Sequence, residues 1–278
     1  MIACASSAGA ARRASRISQA GRALRFIRWT RILGHAALAA LLLRLVYPRI
    51  SADRRRALMR WWSGKLLRIL NVSTRVRGPV PGAAQQGAMI AANHVSWLDI
   101  FLVSSARATR FIAKSEIRDW PGTGWIADKA GTIFIRHDQW RDTARINEKV
   151  HAALAAGDCV GLFPEGITTE GDTLLKFHSS LFASAVANRA RVHPAAIRYE
   201  TPDCMLCRAM SFFGDRSFME SLALIIREKA VVATVTFATP IDTEGRTRHE
   251  VSREAHARVA TLLGLENPGT PPGRAAGR

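Results

Sequence analysis

Acidic residues are nearly missing from the first 80 residues of the chain, which hold 17 lysines and arginines but one acid, Asp53. The rest of the 278 residues are almost balanced, with 23 bases and 21 acids. The net charge of +18 therefore lies on the amino-terminal arm. Such an arm is attracted to a polyanion, either nucleic acid or an anionic membrane surface.

Cysteine is also scarce, and the four cysteines form no disulfide framework. Cys204 and Cys207 make a lone C-x-x-C without the second pair that a zinc site needs. We expect ordinary thiols in a reducing compartment. A serine nucleophile elbow is absent as well, which disfavours a hydrolase.

No apolar run reaches the roughly 20 residues of a membrane-spanning helix. The longest, 32–43, would cover about 18 Å as a helix and is interrupted by His35. Its late start and the lack of a small-residue cleavage site argue against a signal peptide. Arginines flank both sides, so both ends should remain on the cytoplasmic side.

We therefore predict a helical arm over 21–77 that dips as a hairpin into the cytoplasmic face of the inner membrane, attracted by anionic lipid. The alternative is a helix pair packed on the body, with its bases merely solvated. Nucleic acid is disfavoured as a partner because no recognition motif is visible and the apolar content is high.

The body, 78–265, alternates short apolar runs with stretches of helical periodicity. This pattern predicts an α/β fold with a largely parallel central sheet flanked by helices. We expect the basic residues 1–20 and the Gly- and Pro-rich tail 266–278 to be disordered.

His94 and Asp99 follow a predicted strand, 88–92, and precede an apolar run that begins a helix. Across the strand-to-helix loop the carboxylate can reach the imidazole. A histidine held by a carboxylate can act as a general base toward a hydroxyl. Taken alone, a histidine five residues before an aspartate is commonly structural, so the pair needs support from the rest of the chain.

Further polar residues recur where predicted strands end. Ligands of open α/β sheets bind beyond the carboxyl ends of the strands, so these residues can share one cleft with His94. Taken singly, each is better explained as a surface residue. They are Lys114, Arg136 and Glu165, the last followed by Gly166.

Four motifs in order give the chain a family resemblance. They are His94-x4-Asp99, Gly131-x3-Ile135-Arg136, Phe163-Pro164-Glu165-Gly166 and Val192-His193-Pro194. Their order and gaps, within roughly 85–240, resemble the glycerolipid acyltransferases, and most closely the bacterial 1-acylglycerol-3-phosphate acyltransferases.

The resemblance implies transfer of a fatty acyl group from acyl-CoA or acyl carrier protein to the sn-2 hydroxyl of 1-acyl-glycerol-3-phosphate, giving phosphatidic acid. No metal or other cofactor is expected, because the thioester supplies the leaving group. His94 would be the base and Asp99 its orienting carboxylate. The acceptor and its phosphate would be bound by Lys114, Gly131, Arg136, Glu165 and Gly166.

Two departures keep other acceptors open. Thr168 stands where members of the family often carry an arginine or another threonine, and if it replaces a phosphate-binding arginine, one contact to the headgroup is missing. The stretch 174–182 lacks the glycine of the Phe-Lys-x-Gly form and is more like a branch that acylates other lyso-lipids, including lyso-ornithine lipid and lysophospholipids. An inactive membrane-binding module is the remaining alternative, against which the intact His94 and Asp99 pair argues.

Overall fold

A seven-stranded sheet lies at the centre of the computed structural model, which describes residues 20–82, 87–114, 131–135 and 143–265. Among the described strands the order across the sheet is β1-β7-β6-β2-β5-β3-β4, and only the β6–β7 pair is antiparallel. The predicted α/β class with a largely parallel sheet is thus confirmed. The strands are β1 Val72–Arg77, β2 Ala88–Ala92, β3 Arg110–Lys114, β4 Ile133–Ile135, β5 Cys159–Leu162, β6 Arg191–Glu200 and β7 Val231–Phe237.

Helices cover both faces of this sheet. One face packs against α2, α3 and α6, and the other against α4, α5 and α7, so that each face buries its own apolar cluster. In the described residues the helices are α1 Arg22–Leu45, α2 Ala52–Ile69, α3 Asp99–Ala106, α4 Thr143–Ala155, α5 Ala183–Ala187, α6 Phe218–Arg227 and α7 Arg248–Leu263.

Local sequence signals account for several helix ends. Ser217 with Glu220, and Thr247 with Glu250, form capping boxes that start α6 and α7. Gly264 adopts a left-handed conformation with φ of 69° and ends α7. These contacts satisfy backbone groups that a helix end leaves unpaired.

The amino-terminal segment differs from the predicted helical arm, 21–77, in its last part. Helix α2 ends at Ile69, and the residues after it form strand β1, which pairs in parallel with β7. Its burial pattern, one buried residue followed by five exposed ones, is that of an edge strand. Because only Val72 faces the core, the segment lacks the alternation by which strands are recognised.

Helices α1 and α2 form a hairpin joined by the short turn Tyr47–Arg49. At 24 residues and about 36 Å, α1 is long and apolar enough to cross a bilayer by length and composition. It nevertheless contacts the body, because the buried guanidinium of Arg28 donates to the carbonyl of Ile226 at 2.8 Å. Most of the rest of α1 is exposed.

Candidate active site

The junction between β2 and α3 brings His94 and Asp99 together. Strand β2 is buried over its whole length between β5 and β6, and α3 begins at Asp99. The Nδ1 atom of His94 lies 2.7 Å from Oδ2 of Asp99. The side chain of Asp99 is fully buried, whereas that of His94 is 20% exposed. The predicted contact is present, and its catalytic role stays a prediction.

The buried carboxylate of Asp99 has a donor for each oxygen. Its Oδ2 also accepts the backbone N–H groups of Val95 and Ser96, at 2.8 and 2.9 Å. Its Oδ1 accepts the hydroxyl of Tyr199, 2.7 Å away on β6. Such donors offset the cost of removing a carboxylate from water.

The ring of His94 is held from another side by Phe163. The two rings stack with centroids 4.0 Å apart and planes 4° apart. Asn93, one residue earlier, exchanges two hydrogen bonds with the backbone of Ile197 and so ties the end of β2 to β6. With Nδ1 directed at Asp99, Nε2 is the ring nitrogen left to take a proton from a substrate.

Glu165 supports the backbone of the same loop. Its Oε1 accepts the N–H of His94 at 2.7 Å, and its Oε2 accepts the N–H of Leu175 at 2.8 Å. Burial raises the pKa of Glu165 to about 7; these two N–H groups lower it, and the nearby charge of Asp99 raises it. Both oxygens thus have backbone partners, and the predicted contact of Glu165 with the acceptor stays a prediction.

Gly166 follows with φ of +79°, a conformation that favours glycine. Two residues further on, the hydroxyl of Thr168 donates to the carbonyl of Phe212. The N–H of Thr169 donates to the carbonyl of His94 at 2.9 Å. The loop after Gly166 is therefore attached directly to the loop that carries His94.

A largely apolar cavity of about 280 Å³ reaches His94. It lies between the α1–α2 hairpin, α3 and the sheet, so the arm forms part of its wall. An elongated hydrocarbon suits such a lining, because burial of each methylene stabilises binding by roughly 0.8 kcal/mol. Lining residues from the hairpin include Ala39, Leu42, Leu43, Leu58, Met59 and Trp62.

The other predicted acceptor residues are described only in part. Gly131 has φ of +82°, and its carbonyl accepts Nε of Arg110 at 2.8 Å; Thr132, its neighbour, lines the cavity. Lys114 ends β3 and pairs with Ile135 of β4. Arg136 itself lies outside the described residues.

Sequence reasoning missed Tyr199, and it named Phe163 only as part of the third motif, without a role of its own. Tyr199 is 100 residues from Asp99 and meets it only because β6 lies beside β2. No local spacing signals that contact. The sequence held a weak signal for the stacking of Phe163 on His94, since Phe163 directly precedes the Pro164-Glu165-Gly166 turn at the end of β5.

Among the residues that the structure describes, no group of His, Cys, Asp and Glu side chains is arranged to hold a metal ion.

Comparison with known proteins points to one family. Residues 73–198 match the family described as Acyltransferase. The chain is 37% identical over 231 residues to a lyso-ornithine lipid O-acyltransferase of Pseudomonas aeruginosa, covering 83% of this chain and 87% of that protein. It is 42% identical over 147 residues to a 1-acyl-sn-glycerol-3-phosphate acyltransferase of Neisseria meningitidis, covering 53% and 57%.

A solved structure shares the fold. The 1-acyl-sn-glycerophosphate acyltransferase PlsC of Thermotoga maritima matches with a TM-score of 0.64 at 18% identity, over 88% of this chain and 97% of that one.

Proposed function

The chain belongs to the acyltransferase family that includes enzymes acting on lyso-lipids, and on that basis we propose that it transfers a fatty acyl group from a thioester to a lyso-lipid hydroxyl. The observation that carries the proposal is the His94 and Asp99 pair, in contact at 2.7 Å and bordering an apolar cavity.

In the proposed reaction His94 is the general base. Its Nε2 takes the proton of the acceptor hydroxyl while the oxygen attacks the thioester carbonyl. Asp99 holds the Nδ1–H and stabilises the imidazolium that forms. The tetrahedral intermediate then expels the thiolate, which receives the proton from the imidazolium. An ester and a free thiol result, and no metal or other cofactor is required.

The cavity supports the proposal because it offers apolar surface next to the base. The acyl chain of the donor would extend into it, with the thioester carbonyl near His94. The donor is proposed to be acyl-CoA or acyl carrier protein, both of which present a thioester. The acceptor would approach from the edge of the sheet at which β3 ends with Lys114. Arg136, the next residue in sequence after β4, is proposed to bind it as well.

For the acceptor we propose a lyso-ornithine lipid ahead of 1-acyl-glycerol-3-phosphate, the reverse of the order expected from the motifs. Thr168 stands where the family often has an arginine or another threonine, and its hydroxyl donates to the carbonyl of Phe212. The charged residues in 166–175 are Glu170 and Asp172, both paired with Arg208. This stretch therefore offers no base to a phosphate, which suits an acceptor that lacks one, and the P. aeruginosa relative is named for lyso-ornithine lipid.

The second candidate, 1-acyl-glycerol-3-phosphate, is favoured by the N. meningitidis relative and by Arg136, whose planar fork suits a phosphate. A panel of acceptors separates the two. The purified full chain in detergent is given acyl-CoA or acyl carrier protein with lyso-ornithine lipid, 1-acyl-glycerol-3-phosphate or lysophosphatidylethanolamine, and free thiol and product ester are measured.

The proposal predicts thiol release that depends on the acceptor and is fastest with lyso-ornithine lipid. A preference for 1-acyl-glycerol-3-phosphate would support the second candidate. Reactions without acceptor measure simple thioester hydrolysis. Binding to vesicles without acyl transfer to any member of the panel would contradict the proposal and favour an inactive membrane-binding module.

We also propose that the arm places the enzyme on the cytoplasmic face of the inner membrane, where its lipid acceptor and product reside. Exposed apolar side chains along α1 support this, among them Phe26, Leu33 and Leu41 at 70%, 65% and 54% exposure. Contiguous exposed apolar surface of this kind marks membrane or partner contact.

A further inference from the structure

Tyr199 makes one contact that the reaction described above does not use. Its ring and hydroxyl are fully buried on β6, and the hydroxyl donates to Oδ1 of Asp99 at 2.7 Å. The other oxygen of that carboxylate, Oδ2, faces His94 and the two backbone N–H groups. The phenol is thus the partner of the oxygen that turns away from the base.

A carboxylate held along one oxygen only can rotate about its Cβ–Cγ bond. The phenol of Tyr199 resists that rotation, because turning Asp99 would leave Oδ1 buried without its donor. Burial, and then the charge and hydrogen bond of Asp99, raise the pKa of Tyr199 well above its usual range. The phenol therefore stays protonated and remains a donor at working pH.

We propose that Tyr199 is a positioning residue for acyl transfer, which keeps the Asp99 carboxylate oriented toward His94. The inference rests on the proposed function. Tyr199 acts through Asp99, and the cavity lining assigned from the described residues does not include it. The titratable groups that face Asp99 are His94, Tyr199 and, at longer range, Glu165.

Two isosteric substitutions form the test. Tyr199→Phe removes the hydroxyl beside Asp99. Thr243→Val removes another buried hydroxyl, which donates to the carbonyls of Ala185 and Ala190 near the opposite end of β6. Each variant loses one buried hydroxyl donor, so circular dichroism and thermal unfolding should report similar, modest destabilisation.

The kinetic constants and their pH dependence should distinguish Tyr199→Phe from Thr243→Val. A hydrogen bond to a charged group is worth about 1.5–3 kcal/mol, so kcat of Tyr199→Phe should fall about 10- to 100-fold while KM for donor and acceptor stays within about twofold. The acid limb of its kcat/KM profile should move to higher pH, because a carboxylate without the phenol favours the protonated imidazole. Thr243→Val should keep the wild-type kcat and pH profile.

A second measurement covers the case in which Tyr199→Phe does not fold. The chain has two tyrosines, so in a Tyr47→Phe background biosynthetic 3-fluorotyrosine labels Tyr199 alone. The fluorinated phenol is a stronger donor. Compared with the unlabelled Tyr47→Phe protein, the labelled protein should have the acid limb of its kcat/KM profile at lower pH, opposite to the shift in Tyr199→Phe.

The inference is overturned if wild type is active but Tyr199→Phe matches Thr243→Val in kcat and pH profile, or if fluorination leaves the acid limb in place. A wild-type protein that acylates no member of the acceptor panel would instead overturn the proposed function, so the two failures are distinct.

Discussion

At the scale of single residues, two buried carboxylates hold one histidine in different ways. Asp99 binds the ring of His94, whereas Glu165 binds its backbone N–H. From the part of the chain that the structure describes, Asp99 receives four donors and Glu165 receives two. Fewer donors offset the burial of Glu165, and this agrees with its pKa, which burial raises to about 7.

The raised pKa of Glu165 predicts a pH-dependent stability. Its ordinary value is 4.5, so the folded protein holds this proton over a range in which the unfolded chain has lost it. The resulting stabilisation is fully present below pH 4.5 and is lost as pH rises through 7. Relative to Glu165→Gln, the unfolding free energy of wild type should fall by up to about 3 kcal/mol between pH 4.5 and 8.

Chemical denaturation of both proteins at a series of pH values measures this difference. Glu244→Gln, which alters an exposed acid, serves as the control and should show no such trend against wild type. A constant difference between wild type and Glu165→Gln across the range would show that Glu165 titrates alike in both states.

The sequence could predict only part of the residue-scale arrangement. The contact between His94 and Asp99 is local, so the strand, the loop and the helix start together indicate it. The contact between Tyr199 and Asp99 depends on the order of strands in the sheet, which single-sequence patterns do not give. The predicted acceptor roles of Lys114, Gly131 and Arg136 stay predictions.

At the scale of secondary-structure elements, α1 carries exposed apolar side chains and also forms part of the wall of the cavity beside His94. Arg28 donates to carbonyls at the carboxyl end of α6, where a helix leaves such groups unpaired and attracts a cation. Ala39, on the same helix, lines the cavity. Sequence patterns predicted the helical hairpin but not this attachment. The sequence alone does not distinguish an arginine that is buried against the body from one that flanks a membrane segment.

The edge strand β1 was not predicted from the sequence. Its polar and basic residues face solvent, so the apolar periodicity that identifies the central strands is lacking there. Strand β2, by contrast, is buried throughout and was predicted with its observed bounds.

Enlarging the side chain at position 39 should change the choice of acyl chain. Ala39 is 3% exposed, so Ala39→Phe fills part of the cavity. The phenylalanine would exclude two or three methylenes of a long acyl chain from the cavity, and each loses about 0.8 kcal/mol of burial. The kcat/KM for long-chain donors should therefore fall roughly 15- to 60-fold, with little effect on short-chain donors. Ala40→Phe, at the exposed neighbouring position, is the matched control. Equal effects on donors of every length would contradict an acyl-chain role for the cavity.

At the scale of the whole molecule, charge and apolar surface coincide on one part of the chain. The hairpin carries exposed apolar side chains on α1 and exposed arginines on α2, while the body after residue 80 is nearly neutral. A polarised surface of this type suits attachment to an anionic bilayer, and each base near the surface adds about 1 kcal/mol. Charge counting predicted this asymmetry directly, since it needs no knowledge of the fold.

Removing two exposed arginines of α2 should weaken that attachment. In flotation assays with vesicles of mixed neutral and anionic phospholipid, the double variant Arg54→Gln, Arg60→Gln should bind about 10- to 30-fold more weakly than wild type at low salt. The variant Arg189→Gln, Arg253→Gln loses the same charge elsewhere and should bind like wild type. Equal losses in both variants would indicate a non-specific effect of net charge.

The rate of acyl transfer by His94→Ala is the sharpest test of the general-base role proposed for His94. With acyl-CoA and the acceptor that wild type prefers, thiol release should fall by about 10²–10⁴-fold while circular dichroism and vesicle binding stay at wild-type levels. A folded, membrane-bound His94→Ala protein that releases thiol and forms the ester at the wild-type rate would contradict the account.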